Sequence, residues 1–380
     1  MNRKAFFLIL IIISVFFSCG KNLEDSVPFI MIEGIKHIQN PLEPLRGTVI
    51  LEVEKKLEIN PYEQEDVGLN MIFSVKDKNG DIILFDPNQS EAQRFSSTGE
   101  YQGSMIRQGE GPGEFVSGRG MLVHFIDDQI WVTGARKLAK FDKSGNFLDE
   151  LKLGESVESF VDSTCYITEK SIRNDEGRLL QYMIRRIADD RNVVDGPVLM
   201  EGLDVGMIRK PGGGGGFTDG WGTPNFGCTV DTLNKKVFFV FTPEYKITVK
   251  DVEGNTLYVI EKQHERVSIS QKEKKEMLGS LVERIEWILS EYPDNLMAVK
   301  EMKMLPKGYL AVYRISGVRE TEIDVFDQEG RFVYVLKMPE NMELRETIFY
   351  DFGFSTIDYG GGDYPIYYEY RIINLPEIFN

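Results

Sequence analysis

One short pattern recurs along the chain at a nearly constant spacing, and this repeat constrains the fold more than any other feature. Each copy has an alternating apolar strand, an Asp or Ser, two further residues, a Gly, and a second apolar strand. The turn position holds Gly99, then Gly145, then Asn192, so successive copies are 46 and 47 residues apart. Gly and Asn both tolerate the positive φ that tight hairpins need. Four short strands in a period of this length are typical of one β-propeller blade.

Alternation of apolar and polar residues places the strands within each period. Two later copies turn at Gly254 and Gly330, after gaps that carry insertions. The predicted strands of five blades are Met71–Val75, Ile82–Phe85, Gln93–Phe95 and Tyr101–Ile106; Met121–Ile126, Ile130–Val132, Leu138–Phe141 and Phe147–Leu151; Ser159–Val161, Cys165–Thr168, Tyr182–Ile187 and Val193–Val198; Cys228–Val230, Val237–Phe241, Ile247–Val249 and Leu257–Ile260; and Lys300–Met304, Tyr309–Tyr313, Ile323–Phe326 and Phe332–Leu336.

The two ends of the repeat region complement each other. Ile348–Ile357 and Ile366–Ile373 are one outer strand short of a sixth blade, and Thr48–Val53 is a spare strand near the start. We therefore predict an all-β, six-bladed β-propeller over residues 46–380, closed by Thr48–Val53 as the outermost strand of the last blade. Closure of the ring removes the exposed strand edges that invite aggregation.

One insertion has helical rather than strand periodicity. Ser270 and Glu273 form a predicted capping box, and the following apolar residues recur at helical spacing up to Pro293. That stripe comprises Leu278, Leu281, Val282, Ile285, Ile288, Leu289 and Tyr292. We predict an inserted amphipathic helix within residues 268–293, which buries the stripe on the outside or rim of the ring. A helix that docks a partner is the alternative interpretation.

A second insertion is rich in glycine. Gly212–Gly216 cannot contribute to a core, because glycine has no side chain and the highest entropy cost of ordering. Phe217 and Trp221 follow directly. We predict a mobile loop whose two aromatic side chains close over a ligand.

The N-terminal residues resemble an export signal. Arg3 and Lys4 precede the apolar run Ala5–Phe17, which is shorter than the ~20 residues of a membrane-spanning helix. Cys19 follows Ser18 and precedes Gly20, as in the signal of a bacterial lipoprotein. We predict a signal peptide over residues 1–18, lipidation at Cys19, and a tether over residues 19–45. An ordinary secretory signal with an incidental cysteine is the alternative.

Charge and cysteine content exclude several classes of protein. Lys and Arg number 44 against 60 Asp and Glu, a net charge of −16, which argues against nucleic acid as a partner. Three His and three Cys are too few for a zinc site built on Cys and His clusters. Cys165 and Cys228 lie in apolar strand patterns, which favours two free buried thiols over a disulfide.

A glycine-rich motif links the first predicted blade to the second. It reads Ile106-Arg107-Gln108-Gly109-Glu110-Gly111-Pro112-Gly113-Glu114-Phe115. Gly109–Phe115 is similar to the G-x-G-P-G-E-F signature of the six-bladed β-propeller lipoproteins of Gram-negative bacteria, which are related to the NHL-repeat propellers. The Phe-Asp-x-x-Gly turns at Asp142 and Asp327 fit the same family. The resemblance spans about residues 45–375 and implies the fold, but it implies no particular activity.

The same motif supplies the candidate ligand-binding residues. A link from an outer strand to the next inner strand crosses one face of a propeller towards the mouth of its channel. We therefore predict that Arg107, Glu110, Glu114 and Arg119 bind a ligand there, together with Phe217 and Trp221. The alternative is a purely structural loop in which the glycines and Pro112 fix the crossing. A nucleotide-binding loop is excluded, because no helix and no Lys-Ser/Thr follows.

Local motifs give no catalytic set. The chain contains no G-x-S-x-G sequence. Asp77–Asp81 resembles the start of a calcium loop, but Asn88 stands where the closing Glu is needed, so an Asn-Gly hairpin turn is the better interpretation. His124, on a predicted inner strand, is interpreted as a hydrogen-bonded core residue rather than a ligand.

Three function classes remain. The first is a lipid-anchored, non-catalytic module of the bacterial cell envelope, facing the periplasm or the surface, that binds a small molecule or a protein. The second is a metal-dependent hydrolase or lactonase with acidic residues converging on a divalent cation in the channel. The third is a structural component of an envelope complex. No cofactor is predicted, and calcium stays open through the second class. The predicted partners are the membrane, through the anchor, and an unidentified ligand.

Overall fold

The computed structural model describes most of the chain from residue 26 onward. The described residues are 26–63, 69, 72–116, 121–134, 136–153, 155–174, 177–187, 192–203, 208–209, 216–217, 221–284, 287–318, 320–339, 342, 347–351, 353–359 and 364–374. The predicted signal peptide, Cys19, Arg119 and Gly212–Gly215 lie outside them.

Six sheets, each with four antiparallel strands, form the ring, which confirms the all-β six-bladed propeller. In order from the inner strand outwards, blade 1 is Phe73–Lys76, Ile82–Asp86, Glu91–Phe95 and Tyr101–Ile106; blade 2 is Met121–Ile126, Gln129–Gly134, Lys137–Phe141 and Phe147–Lys152; and blade 3 is Val157–Asp162, Cys165–Asn174, Gly177–Ile187 and Val193–Leu203.

The second half of the ring has the same order of strands. Blade 4 is Phe226–Asp231, Lys236–Phe241, Lys246–Asp251 and Thr256–Lys262; blade 5 is Val299–Met304, Leu310–Gly317, Glu320–Phe326 and Phe332–Lys337; and blade 6 is Ile348–Tyr350, Gly353–Asp358, Ile366–Ile372 and Val53–Ile59. Ile208–Arg209 pairs with Gly216–Phe217 in a separate two-stranded hairpin, and Pro61–Glu63 and Pro306–Gly308 are 3₁₀ turns.

An N-terminal strand closes the ring, but it is not the strand that the sequence indicated. Val53–Ile59, hereafter the closing strand, pairs antiparallel with Ile366–Ile372 of blade 6. Thr48–Ile50 instead pairs parallel with Phe332–Lys337, as a fifth strand on blade 5. The closing strand presents three consecutive charged residues to solvent, Glu54, Lys55 and Lys56, which hide its alternation. Its buried side is carried by Val53, Leu57 and Ile59.

The segment expected to be a tether contains two strands. Ile35–Asn40 pairs parallel with Thr256–Lys262, the outer strand of blade 4. Phe29–Ile32 pairs antiparallel with Ile35–Asn40 and is the edge of the resulting six-stranded sheet. We refer to residues 29–40 as the N-terminal hairpin. The buried Asn40 side chain ties it to blade 5, because it donates to the Gly330 carbonyl and accepts from the Phe332 amide.

The repeated turn glycines join neighbouring blades. Gly99 has φ +83°, and a Cβ there would lie 2.8 Å from Leu57 of the closing strand. Gly330 has φ +80°, and a Cβ there would lie 2.9 Å from both Ile38 and Ile260. Glycine is needed in both respects, for the left-handed backbone and for the close approach. The equivalent glycines Gly145 and Gly254 likewise pack against the preceding blade, at Met105 and Pro197.

A polar cluster joins blades 1 and 6. The Lys76 Nζ lies 2.7 Å from the Glu369 Oε2, and the Tyr367 hydroxyl donates to the Glu369 Oε1 over 2.8 Å. Glu369 and Tyr367 are buried. Because the closing strand pairs with the strand that carries Glu369, this cluster fixes blade 6 at the point where the ring closes.

The helical insertion begins as predicted but is broken into three short helices. The Ser270 hydroxyl accepts from the Glu273 amide, and the Glu273 carboxylate accepts from the Ser270 amide, so the capping box is present. The helices are α1, Gln271–Leu278; α2, Leu281–Arg284; and α3, Ile288–Glu291. Gly279, with φ +53°, ends α1 and interrupts the single helix that the apolar stripe predicted.

The insertion buries its apolar stripe against blade 5. Its core contains Leu278, Ile288 and Tyr292, which pack with Ile315 near the end of the second strand of blade 5. The buried Lys274 side chain supports this arrangement: its Nζ donates to the Tyr292 carbonyl over 2.6 Å and lies 2.7 Å from the Oδ1 of the exposed Asp294. The insertion therefore covers the link between blades 4 and 5.

Candidate functional site

One face of the ring carries all the links from an outer strand to the next inner strand. Strands within each blade alternate in direction, so these links emerge on the same side, together with the turns between second and third strands. We refer to this side as the link face. It carries the Gly109–Phe115 motif between blades 1 and 2, the segment between Leu203 and Phe226, and the helical insertion.

The Gly109–Phe115 segment is a closed, internally bonded loop. The Phe115 amide donates to the Arg107 carbonyl over 3.1 Å, and the Gly109 amide donates to the Phe115 carbonyl over 3.0 Å. The Phe115 ring is 1% exposed and packs in the core between blades 1 and 2. The Glu114 carboxylate accepts from the Gly111 amide over 2.9 Å. Glu114 therefore holds the loop together rather than projecting towards a ligand.

A lysine attaches this loop to blade 2. The Lys137 Nζ lies 2.8 Å from the Glu150 Oε2 and 4.7 Å from the centre of the Phe115 ring. The Gly113 amide also donates to Glu150, over 3.2 Å. Three kinds of contact therefore converge on Lys137 and Glu150: an ion pair, a cation–π contact and a backbone hydrogen bond. The loop is a fixed part of the link face.

A cavity of about 300 Å³ opens beside this loop on the link face. Blades 1, 2 and 3 all contribute to its wall, which combines an apolar lining with charged groups of both signs. It is lined by Phe73, Pro87, Met121, Leu122, Thr133, Gly134, Arg136, Lys137, Leu153, Glu155, Ser156, Val157 and Glu158. Concave sites of mixed character at the mouth of a β-ring are typical of small-molecule binding.

Acidic groups dominate one wall of the cavity. Glu158 is exposed to solvent, but neighbouring groups partly desolvate its carboxyl and raise its pKa, and the nearby Glu169 carboxylate raises it further. The Tyr182 hydroxyl donates to the Glu169 Oε2 over 2.8 Å. On the neighbouring strand the Arg185 Nε lies 2.8 Å from the Glu155 Oε1. Glu155 thus has a cationic partner, whereas no ion pair of Glu158 is found among the residues that the structure describes.

A free thiol lies close to the same acidic wall. Cys228 is half-buried on the inner strand of blade 4, and burial together with the Glu158 and Glu169 carboxylates raises its pKa to about 12. Cys165 is buried, and burial raises its pKa to about 11. Both cysteines are free thiols in the structure, as the sequence favoured. Neither is a thiolate at neutral pH, so neither is prepared for nucleophilic attack.

The ligand-binding residues predicted from the sequence do not all lie at one place in the structure. Arg107 and Glu110 are exposed on the loop, and Glu114 is used within it. Arg119 lies outside the described residues. The Phe217 backbone belongs to the small two-stranded hairpin, and its side chain is not described.

Trp221 has a structural position. Its carbonyl accepts from the Met297 amide over 2.9 Å, and the Lys300 Nζ lies 4.9 Å from the centre of its ring. The ring is partly buried against the core of the helical insertion. Trp221 therefore packs near the link between blades 4 and 5, whereas the Gly109–Phe115 loop lies between blades 1 and 2. The structure does not bring these two predicted parts of the site together.

The charged residues of the cavity were missed from the sequence. Arg136 and Lys137 lie in the turn between two predicted strands of blade 2, and Glu155 and Glu158 lie at the link into blade 3. Strand order alone determines which turns and links lie on the link face, so the sequence does place these charged residues on that face. Motifs within one link, by contrast, cannot reveal a wall to which three blades contribute.

Two further groups bear on chemistry. His124 is largely buried, its Nε2 has no hydrogen-bond partner, and burial lowers its pKa to about 4. Its ring packs edge-on against Phe160. Across the described ranges, no cluster of three or more His, Cys, Asp or Glu residues is suited to a metal ion.

No helix within the described part of the chain has both the length and the apolar character to cross a membrane.

Comparison with known proteins agrees with this architecture. Residues 63–195 match the family model DUF5128, described as a 6-bladed beta-propeller. No curated protein matches the chain. A member of the DUF4221 family from Bacteroides vulgatus superposes with a TM-score of 0.50 at 10% identity, covering 85% of this chain and 99% of its own. The class defined by sheets, ring and family match is the six-bladed β-propeller.

Other solved structures are similar at a lower level. A Bacteroides fragilis protein described as exported gives a TM-score of 0.47 at 15% identity, covering 88% of this chain and 99% of its own. Virginiamycin B lyase from Staphylococcus aureus gives 0.43 at 11% identity, covering 85% of this chain and 100% of its own. Identities this low leave activity undefined.

Proposed function

We propose that this protein is a lipid-anchored, non-catalytic propeller of the bacterial cell envelope that binds a small ligand in the link-face cavity. The observation that carries the proposal is the cavity itself, to which three blades contribute apolar side chains and charges of both signs. The ligand it fits is a compact molecule with an apolar body and polar or charged groups at its ends.

The fixed wall of the cavity supports ligand binding rather than catalysis as the function. Lys137, one of the residues that line the cavity, is held by its ion pair with Glu150 and its contact with the Phe115 ring, so little order has to be gained there when a ligand enters. Binding to a preformed site keeps more of the contact free energy. Catalysis would require in addition a nucleophile paired with a base, or a metal with at least three protein ligands.

Substitutions in the cavity test this proposal. Leu122, exposed in the wall of the cavity, is changed to Asp, and Glu158 is changed to Gln. A metabolite library is screened by thermal shift for compounds that raise the melting temperature of the wild type, and hits are titrated by calorimetry. We expect each variant to weaken a hit about tenfold or more, because one contact of about 1.4 kcal/mol corresponds to a factor of ten in Kd.

A matched control distinguishes the cavity from the rest of the surface. Leu233 is 76% exposed in the first hairpin of blade 4, on the side of the ring opposite to the link face, so Leu233→Asp should leave every hit unchanged. Equal loss of binding in Leu233→Asp and Leu122→Asp would reject the cavity as the site.

The hydrolase alternative has its own test. Metal content of the purified protein is measured by mass spectrometry, and hydrolysis of a lactone panel is assayed with and without added calcium. Turnover that depends on the metal and disappears on changing acidic residues of the channel would replace binding by catalysis as the function.

The anchor is tested independently of the cavity. Intact and peptide masses of the protein from its native host should place lipid on Cys19, and Cys19→Ala should abolish it. The supporting observation is the sequence of residues 1–20, with its basic start, apolar run and Ser-Cys-Gly end. A mature N-terminus at another residue would leave a secreted protein without an anchor.

A further inference from the structure

The most apolar part of the described surface is one strand at the outer edge of the ring. Phe29, Ile30, Met31 and Ile32 are consecutive and 51%, 49%, 58% and 43% exposed. The remaining exposed large hydrophobic residues in the described ranges occur singly or in pairs. Contiguous apolar surface of this kind marks a contact with another apolar body.

This strand exposes apolar side chains on both sides of its sheet. Successive residues of a strand point to opposite faces, so Phe29 and Met31 emerge on one face and Ile30 and Ile32 on the other. The strand is also the edge of its six-stranded sheet, with no further strand beside it in the described part of the chain. Edge strands are normally protected by charge, whereas the four residues of this strand are all apolar. The basic residue paired with it, Lys36, places its Nζ 5.0 Å from the centre of the Phe29 ring.

The position of the strand in the chain indicates what covers it. Phe29 is ten residues after Cys19, the predicted site of lipidation, and ten residues span at most about 35 Å when fully extended. A lipid on Cys19 would therefore keep this strand within reach of the bilayer surface at all times. The net charge of −16 gives no attraction to anionic lipids, so the contact would have to be apolar.

We propose that Phe29–Ile32 rests on the lipid surface and forms, with the anchor, a second membrane contact. This inference rests on the lipid anchor of the proposed function. Exposure on both faces of the strand suits a fluid lipid surface, which surrounds a protruding edge, better than a flat partner that covers one face only.

The depth of contact follows from the backbone. The unpaired amide and carbonyl groups of the strand edge need hydrogen bonds, which the hydrocarbon interior does not supply. The strand therefore lies at the level of the headgroups, where water and lipid polar groups bind its backbone and its side chains reach the acyl boundary. The Glu33-Gly34 turn, both residues with positive φ, keeps the hairpin tight at this position.

This contact also sets the orientation of the ring. The N-terminal hairpin lies outside the outer strand of blade 4, so blade 4 would face the bilayer and the propeller would stand on its rim. The link-face cavity, in blades 1 to 3, would then open along the membrane rather than towards it. The ligand would arrive from the aqueous side by diffusion parallel to the bilayer.

Vesicle sedimentation tests the contact without the lipid on Cys19. The chain from residue 20 onward keeps every residue that the structure describes, and it is mixed with vesicles of phosphatidylethanolamine and phosphatidylcholine. We expect the fourfold variant Phe29→Ser, Ile30→Ser, Met31→Ser, Ile32→Ser to lower the bound fraction about fivefold or more, since apolar area governs interfacial binding. The wild-type bound fraction should not fall at high salt, because the contact is apolar.

The control is a variant in which four exposed apolar residues elsewhere on the surface are changed to serine: Leu148→Ser, Val194→Ser, Val198→Ser and Leu233→Ser. Equal melting temperatures of the three proteins exclude unfolding as the cause. Unchanged sedimentation in the Phe29–Ile32 variant would overturn the proposal, as would a wild-type dimer, measured by light scattering, that this variant dissociates, because a second copy would then cover the strand. If vesicle binding holds while Cys19 proves unlipidated, the anchor fails and the lipid contact stands.

Discussion

The N-terminal part of the chain adds strands to blades 4, 5 and 6, and the additions to blades 4 and 6 differ in what they complete. The closing strand supplies the fourth strand of blade 6, which has only three of its own. The N-terminal hairpin adds a fifth and a sixth strand to blade 4, which is already complete. The closing strand pairs antiparallel with its neighbour, whereas the hairpin strand Ile35–Asn40 pairs parallel with blade 4. The extra strand Thr48–Ile50 on blade 5 is also parallel.

The closing strand is also more deeply packed than the first strand of the N-terminal hairpin. Ile59 of the closing strand is buried with Ile357 and Tyr367, in the cluster that joins blade 6 to blade 1. In the N-terminal hairpin Ile38 and Asn40 are buried, but the whole first strand is exposed. A strand that completes a sheet is required for the ring, whereas a strand added to a complete sheet is free to serve a surface function. The following predictions test this difference, from the largest expected effect to the smallest.

Removal of either strand by truncation gives the largest contrast. A chain starting at residue 60 loses the closing strand together with the parallel strands added to blades 4 and 5, uncovers three strand edges, and should not fold cooperatively. A chain starting at residue 34 loses only Phe29–Ile32 and should keep a melting temperature close to that of the wild type. Circular dichroism melts measure both. Cooperative melting of the residue-60 chain at the wild-type temperature would contradict closure by Val53–Ile59.

The two places also differ in how much the contacts of one glutamate contribute to the free energy of unfolding. Glu369→Ala leaves Lys76 and Tyr367 without their acceptor in a buried cluster and should cost about 2–3 kcal/mol of unfolding free energy. Glu261 binds His37 and Gln39 at the N-terminal hairpin, where it is more exposed, and Glu261→Ala should cost about 1 kcal/mol or less. Urea unfolding of both variants compares them directly. A larger loss in Glu261→Ala would reverse the proposed order of importance.

Acid should destabilise the interior of the ring through His124. Burial lowers its folded-state pKa to about 4, against about 6.5 when unfolded. Between these values the unfolded state binds the additional proton, so stability is full above pH 6.5 and is lost as the pH falls towards 4. The expected loss from pH 7 to pH 5 is about 2 kcal/mol. His124→Gln should remove this part of the pH dependence in urea unfolding.

The control for acid sensitivity is His37→Gln at the N-terminal hairpin, where the imidazole Nδ1 lies 2.8 Å from the Glu261 Oε1. This variant should retain the loss that His124 causes. An unchanged pH profile in His124→Gln would show that another group governs acid sensitivity.

Two turn glycines test the contacts between blades and reverse the order of the two places. Gly330→Ala introduces a Cβ 2.9 Å from the buried Ile38 and Ile260, and Gly99→Ala introduces one 2.8 Å from the half-buried Leu57, whose tip has room to move. We expect losses of about 2 and about 1 kcal/mol, respectively. Gly34→Ala, with φ +82° and nothing within 4 Å, isolates the backbone cost. Equal losses in all three variants would show that packing at the turns contributes nothing.

Local patterns in the sequence were sufficient for the blades. The 46- to 47-residue period, the Asp-x-x-Gly turns and the capping box at Ser270 all correspond to observed elements, because each depends on residues close in the chain. The strand partners near the N-terminus were not predictable in the same way. Thr48–Ile50 was assigned to blade 6 but pairs with blade 5, since no hairpin turn marks a parallel addition.

The site was less predictable than the fold. The glycines and glutamates of Gly109–Phe115 correctly indicated a loop with a defined structure. The same pattern, however, also fits a loop held by internal hydrogen bonds, such as the one that Glu114 accepts from the Gly111 amide. The cavity walls come from strand ends that are far apart in sequence, such as Leu122 and Glu158. Their convergence depends on the angle between blades, which packing sets and which no local pattern encodes.

The contact between Gly99 and Leu57 has a consequence for how the ring is built. Leu57 belongs to the strand that later completes blade 6, yet it lies against a turn of blade 1 only 42 residues further along the chain. Leu57 and Ile59 also share a core cluster with Ile82, Leu84 and Phe95 of blade 1. A chain emerging from synthesis N-terminus first has the closing strand beside blade 1 before blade 6 exists. The ring therefore starts with a template already in place, and Ile366–Ile372, the last strand in the chain, pairs with its edge.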